Sequence, residues 1–146
     1  MRAILPILFA LVAGGCDPIA AGGSFSGDKC AAGDATLDTL TIGNAFRDLD
    51  YQVGDPWTPG EGDQGLSMSQ FALYLTGSAI PDCVQVHARA ENAVLDGPKT
   101  VGGQNAARRK IDVFIGPVDD SYAIDASVAG LAAHLEISHN VVSVVR

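Results

Sequence analysis

Aromatic residues are scarce, 6% of the 146-residue chain, and tryptophan occurs once, at Trp57. A core must therefore be assembled from Val, Ile, Leu and Ala, which bury less surface than rings do, and such a core is thin. Basic residues are few as well: 9 against 17 acidic ones, for a formal net charge of −8 at pH 7. That balance repels nucleic acid and anionic headgroups, so no nucleic-acid partner is expected. The one basic cluster, Arg108-Arg109-Lys110, stands before a predicted strand and reads as a solvated edge. No apolar run approaches the roughly 20 residues of a spanning helix. No cysteine pair has C-x-x-C spacing, which removes the usual zinc module. None of Asn44, Asn92, Asn105 and Asn140 opens a glycosylation sequon. No serine sits in a G-x-S-x-G elbow; the nearest string, "GGSFSG", has Phe25 at the centre.

What is present begins with a leader. Arg2 supplies a minimal positive region, residues 4–13 are an apolar run, and Ala13-Gly14-Gly15 are the small residues a signal peptidase needs. Residues 1–15 read as a secretion signal peptide. The string "LVAGGC", ending at Cys16, resembles the lipobox of bacterial lipoproteins. The resemblance implies that Cys16 becomes a lipidated (palmitate-bearing) mature N-terminus, with membrane as a partner through that lipid. It implies export, an anchor in the cell membrane or outer membrane, and a domain in the periplasm or at the cell surface. Cleavage by the ordinary peptidase after Ala13 or Gly15 is the alternative. The resemblance covers residues 1–16 and says nothing of the folded domain. A lipidated Cys16 leaves Cys30 and Cys83 as an even pair, expected as one disulfide in an exported protein. Closing a loop of about fifty residues stabilises by roughly 3–4 kcal/mol on the chain-entropy model. Two separate buried thiols are the other reading. Residues 16–29, rich in Gly, Ser and Ala, read as a flexible tether behind the anchor.

Residues 30–146 read as one all-β domain. "CVQVHARA" alternates Val84, Val86, Ala88 and Ala90 with Gln85, His87 and Arg89, the period of a strand with one buried face. "SQFALYLTG" puts Phe71, Leu73 and Leu75 on one face, with Ala72, Tyr74 and Thr76 on the other. "KIDVFIG" and "NVVSVVR" are further strands, and "ATLDTLTIG" and "AFRDLDYQV" shorter ones. Residues 121–137 fit either a helix or two strands broken at Ala129-Gly130. Two strands are favoured, because the neighbours are β and Gly130 weakens a helix. About seven or eight short strands with turns at "GDPWTPGEGDQG", "SAIPD", "LDGPK" and "GPVDD" predict a single antiparallel β-sandwich. An aromatic at Phe46, the turn Gly62-Asp63-Gln64-Gly65, and the alternation Phe71, Leu73, Leu75 resemble uncharacterised secreted lipoproteins of the myxobacterial kind. That resemblance implies an immunoglobulin-like sandwich and no activity.

Each chemical signal has a plainer reading beside it. "GEGDQG" matches G-x-G-x-x-G, but prolines precede it, a strand follows it, and Glu61 and Asp63 repel phosphate, so it reads as a loop. Asp48, Asp50 and Asp55, and Asp119, Asp120 and Asp125, form two acidic groups. Val53 and Pro59 spoil the resemblance of "DLDYQVGDPWTP" to a calcium loop, which leaves solvated turn acids. His87, His134 and His139 read as exposed strand histidines, with no metal expected. Trp57, with Tyr51 and Tyr74, is either a stacking platform for a sugar or peptide or a loop tryptophan folded back over the core. The expectation is an envelope-anchored, non-catalytic binding or structural module with no cofactor and a protein or glycan partner. A calcium-dependent or carbohydrate-binding module is the first alternative, and a small secreted hydrolase the second.

Overall fold

The computed structural model describes Cys30, residues 35–105 and residues 107–146. The stretch expected to be a signal peptide, residues 1–15, and Cys16 with the expected tether, residues 16–29, lie outside the described residues. The chain forms β1 (Thr36–Gly43), β2 (Gly60–Glu61), β3 (Ser67–Ala79), β4 (Cys83–Ala90), β5 (Ala93–Thr100), β6 (Gly102–Asn105), β7 (Arg108–Ile115), β8 (Tyr122–Val128), β9 (Leu131–Ser138) and β10 (Val141–Val145). One turn of 3-10 helix, Asp63–Gly65, precedes β3.

Two antiparallel sheets face each other. One runs β1-β3-β7-β6, with β2 paired to β3; the other runs β10-β9-β8-β4-β5. The chain crosses between them after β3, β5 and β7. This is the immunoglobulin-type order: β1-β3-β7-β6 stands where strands A-B-E-D stand, and β5-β4-β8-β9 where C′-C-F-G stand. β10 adds a strand beyond that set.

Alternation explains the core. Leu40, Ile42, Phe71, Leu73, Leu75, Ile111, Val113 and Ile115 from one sheet meet Val84, Val86, Ala88, Ala90, Ile124, Ala126, Val128, Leu135 and Ile137 from the other. "CVQVHARA" is β4 with its buried and open positions in strict alternation, as its pattern predicted. Residues 121–137 are two strands, paired from Tyr122↔Ile137 to Val128↔Leu131 around Ala129 and Gly130. Both turn residues have positive φ, 49° and 84°, which a helix interior forbids.

Two expectations are corrected. "AFRDLDYQV" is not a strand: residues 44–49 bend away, and only Asp50 bridges back to Gly43. The physical reason is Asn44, whose side chain accepts the backbone N–H groups of Phe46 at 2.8 Å and Arg47 at 3.0 Å and closes a turn. "LDGPK" is not a turn but the middle of β5. β5 is an edge strand, where the missing N–H of Pro98 is tolerated.

Candidate functional site

The segment after β1 folds back as a flap over the outer face of its own sheet. Tyr74, on β3, points to that outer face and is still only 2% exposed, because the flap covers it. Its hydroxyl lies 2.8 Å from the carbonyl oxygen of Asn44 and 3.0 Å from that of Arg47, and its single proton serves both. Arg108, at the start of β7, lays its guanidinium 4.1 Å from the centre of the Tyr74 ring. The same guanidinium donates to Asp50 at 3.0 and 3.3 Å and to Asp48 at 3.2 Å. Thr41 donates to Asp50 at 2.6 Å, and the Lys110 ammonium to the carbonyl of Ala45 at 3.1 Å. Gly43 sits at the hinge, where a Cβ would meet the carbonyl oxygen of Leu49 and the Tyr74 ring.

The electrostatics agree with this geometry. Burial works against the Asp50 carboxylate, but Arg108 and Thr41 outweigh it and hold its pKa below the usual value. Asp50, and then Asp48, raise the pKa of Arg108. Burial, helped by Asp48, pushes the Tyr74 phenol up, so it stays a donor at neutral pH.

What this framework holds up is apolar. Phe46 is 80% exposed, Leu49 62% and Val53 67%. Beside them runs a groove of about 810 Å³, walled by Phe46, Leu49, Pro56 and Pro59 and edged by Gln52 and Gln70. The sequence offered one signal for this surface, an asparagine two residues before a phenylalanine, and the period-two pattern around it hid that signal.

The expected platform of Trp57, Tyr51 and Tyr74 is not an open one. Trp57 is 3% exposed and Tyr51 6%. Their rings pack on each other with centroids 5.0 Å apart, and Tyr122 meets Trp57 edge-on at 6.3 Å. Of the two readings of Trp57, the structure has the ring folded back over the core. A thin aliphatic core leaves room at that end of the sandwich, and burying a ring there is favourable. Tyr74 is on the outer face of the other sheet, under the flap, and joins neither ring.

The basic string is structural. Arg108 and Lys110 hold the flap, and Arg109 donates to Asp82 at 2.8 Å and to the carbonyls of Ile80 and Val101. Asp48 and Asp50 are taken up by Arg108, and Asp55 accepts the backbone N–H of Gln52. Among the described residues no group of three or more His, Cys, Asp or Glu is arranged to hold a metal ion.

His134 is the one histidine held on both sides. On the outer face of the second sheet its Nδ1 lies 2.6 Å from Asp125 and its Nε2 3.1 Å from Glu136, while Arg89 reaches Asp125 at 3.0 Å. Asp125 first, then Glu136, raises the His134 pKa. A shallow cleft of about 340 Å³ lies alongside, with His87 and Ser127 in its wall. An imidazole with both nitrogens on carboxylates has no free lone pair to take a proton from Ser127. His87 stands 3.7 Å from Asp96, and exposed His139 3.3 Å from Asp120.

Cys30 and Cys83 are bridged, with Cα atoms 5.4 Å apart and a sequence separation of 53. The bridge ties the segment before β1 to the start of β4, at the end of the sandwich remote from Trp57. Among the described residues no helix is long and apolar enough to cross a membrane. Compared with protein-family models, with curated proteins and with solved structures, the chain matches none.

Proposed function

We propose that this is an exported lipoprotein, anchored through Cys16, whose immunoglobulin-type domain works by binding a protein partner and not by chemistry. One observation carries the binding part: the flap is fixed by Tyr74, Arg108, Lys110 and Asn44 while Phe46 and Leu49 stand in solvent. Apolar side chains gathered on a rigid support mark contact surfaces, because their exposure costs solubility and their preorganisation lowers the entropy lost on binding. Export and anchoring rest on the leader, on "LVAGGC" and on a cysteine bridge suited to an oxidising compartment. The Gly, Ser and Ala content of residues 16–29 is the composition of a linker between such an anchor and the domain. A glycan partner is the second reading, favoured by Gln52, Gln70 and Asp55 edging the groove beside the Phe46 ring.

A photo-crosslinking residue placed at Phe46 in cells tests the contact, with Val94, 57% exposed on the other sheet, as the control position. A discrete protein adduct at position 46 and none at 94 supports the reading. Equal labelling at both positions, or none at 46, overturns it. Intact mass of the membrane-extracted chain tests the anchor: a chain beginning at Cys16 and carrying acyl groups is expected.

A further inference from the structure

The flap is a ridge between two hollows, and Ala45, Phe46 and Arg47 line both. On one side is the groove already described, walled by Phe46, Leu49, Pro56 and Pro59. On the other, a hollow of about 340 Å³ lies between the flap and the β6–β7 pair, lined there by Asn105, Arg108, Arg109 and Lys110. With Arg47 it gathers four of the chain's nine basic residues, in a molecule of net charge −8.

Most of that charge is engaged. Arg108 is held by Asp48 and Asp50, Arg109 by Asp82, and Lys110 by Asp112. Arg47 differs. Its backbone is fixed, the N–H by Asn44 and the carbonyl by Tyr74, while its guanidinium enters no ion pair among the described residues. The other unspent groups beside it are donors as well. The Lys110 ammonium places two of its three protons, on Ala45 and Asp112. Asn105, whose oxygen accepts the backbone N–H of Ala107, has an NH2 group that only donates. A hollow whose unused groups donate takes an acceptor, and a guanidinium grips a carboxylate with two parallel bonds.

We infer that the flap's partner presents an acidic segment, with an apolar side chain against Phe46 in the groove and an Asp or Glu carboxylate on Arg47 in the basic hollow. The inference rests on the contact reading above and adds the partner's chemistry to it. An aromatic ring and an arginine side by side on a rigid support are what contact surfaces favour. The acidic remainder of the domain repels such a segment, which confines it to the ridge. An anionic lipid surface offers both features too, but a whole bilayer face would meet the net charge of the entire domain.

The test places the photo-crosslinking residue at position 46, in cells, in chains carrying Arg47, Arg47→Lys or Arg47→Glu, and maps the labelled segment by mass spectrometry. Only the backbone of Arg47 holds the flap among the described residues, so these substitutions leave its bonds to Asn44 and Tyr74 in place. The Arg47 and Arg47→Lys chains should label a protein segment bearing Asp or Glu, and Arg47→Glu should lower that yield about tenfold or more, through like-charge repulsion. An unchanged yield in Arg47→Glu, or a labelled protein segment without an acid, overturns the acidic partner and leaves the contact at Phe46 standing. Equal loss in Arg47→Lys and Arg47→Glu overturns it too, since shape and not charge would then govern. Label transferred to lipid or glycan overturns it in favour of that surface. No adduct in any of the chains removes the contact reading itself, and this inference with it.

Discussion

Replacing both bridged cysteines, Cys30→Ser with Cys83→Ser, removes a cross-link whose worth follows from loop length. The bridge spans a sequence separation of 53. Chain entropy then sets its stabilisation at about 4 kcal/mol at 25 °C, drawn from the unfolded state rather than from any contact. The unfolding entropy of a domain of about 110 residues is roughly 0.23 kcal/mol/K near its melting point, so the midpoint should fall by about 17 °C. The native fold should survive, because neither cysteine belongs to the packed cluster between the sheets. The assay is thermal and urea unfolding of the wild type, the wild type with reductant, and the double variant, each followed by near-ultraviolet circular dichroism. Reductant and substitution should agree. A fall under about 4 °C would refute the loop-entropy reasoning, showing that the unfolded chain is already compact around that closure. Loss of the near-ultraviolet signal at 20 °C would refute it differently, since the bridge would then be a condition of the fold.

Tyr74→Phe removes the hydroxyl that serves Asn44 and Arg47, and should cost about 1–3 kcal/mol and speed hydrogen exchange of the amides in the flap. Gly43→Ala forces a methyl group against the Leu49 carbonyl and the Tyr74 ring, and should cost about 1–3 kcal/mol by urea unfolding, with weaker crosslinking from position 46. Leu73→Ala, at a site with 0% exposure between the sheets, should cost about 2–5 kcal/mol. His134→Gln tests the outer-face ion network by its pH dependence. The folded-state His134 pKa is raised from 6.5, so its contribution is full below that value and lost as pH rises through the folded one. The Asp125 pKa is lowered from 3.8, chiefly by His134, so the pair also weakens as pH falls through the folded Asp125 value. Wild type should therefore exceed the variant between about pH 4 and 6.5, by under roughly 1 kcal/mol on this half-open surface, and converge with it in alkali. A constant difference across pH 4–9 would count against the ion pair.

The β class and the inward-facing positions of β3, β4 and β7 were legible in the sequence, because a strand's side chains alternate with period two; at residues 121–137 the sequence favoured two strands over a helix, and the pairing of β8 with β9 decided it. β4 reads in the structure as it reads in the chain, Val84, Val86, Ala88 and Ala90 inward. The pairing of Cys30 with Cys83 was legible once Cys16 resembled a lipid attachment site. Tertiary structure alone decided which aromatic rings meet solvent. Trp57 and Tyr51 stand in a Pro/Gly-rich stretch that looks exposed, yet they close one end of a core with few other rings to fill it. Phe46 stands in a stretch that alternates like a strand, yet a flap carries it out. Periodicity reports a residue's face only within an extended strand. Whether the segment stays extended here depended on the local turn closed by Asn44 and on Tyr74 and Arg108, about 30 and 60 residues further along the chain. Bonds over that distance leave no trace in local pattern, and together with the Asn44 turn they set the contact surface.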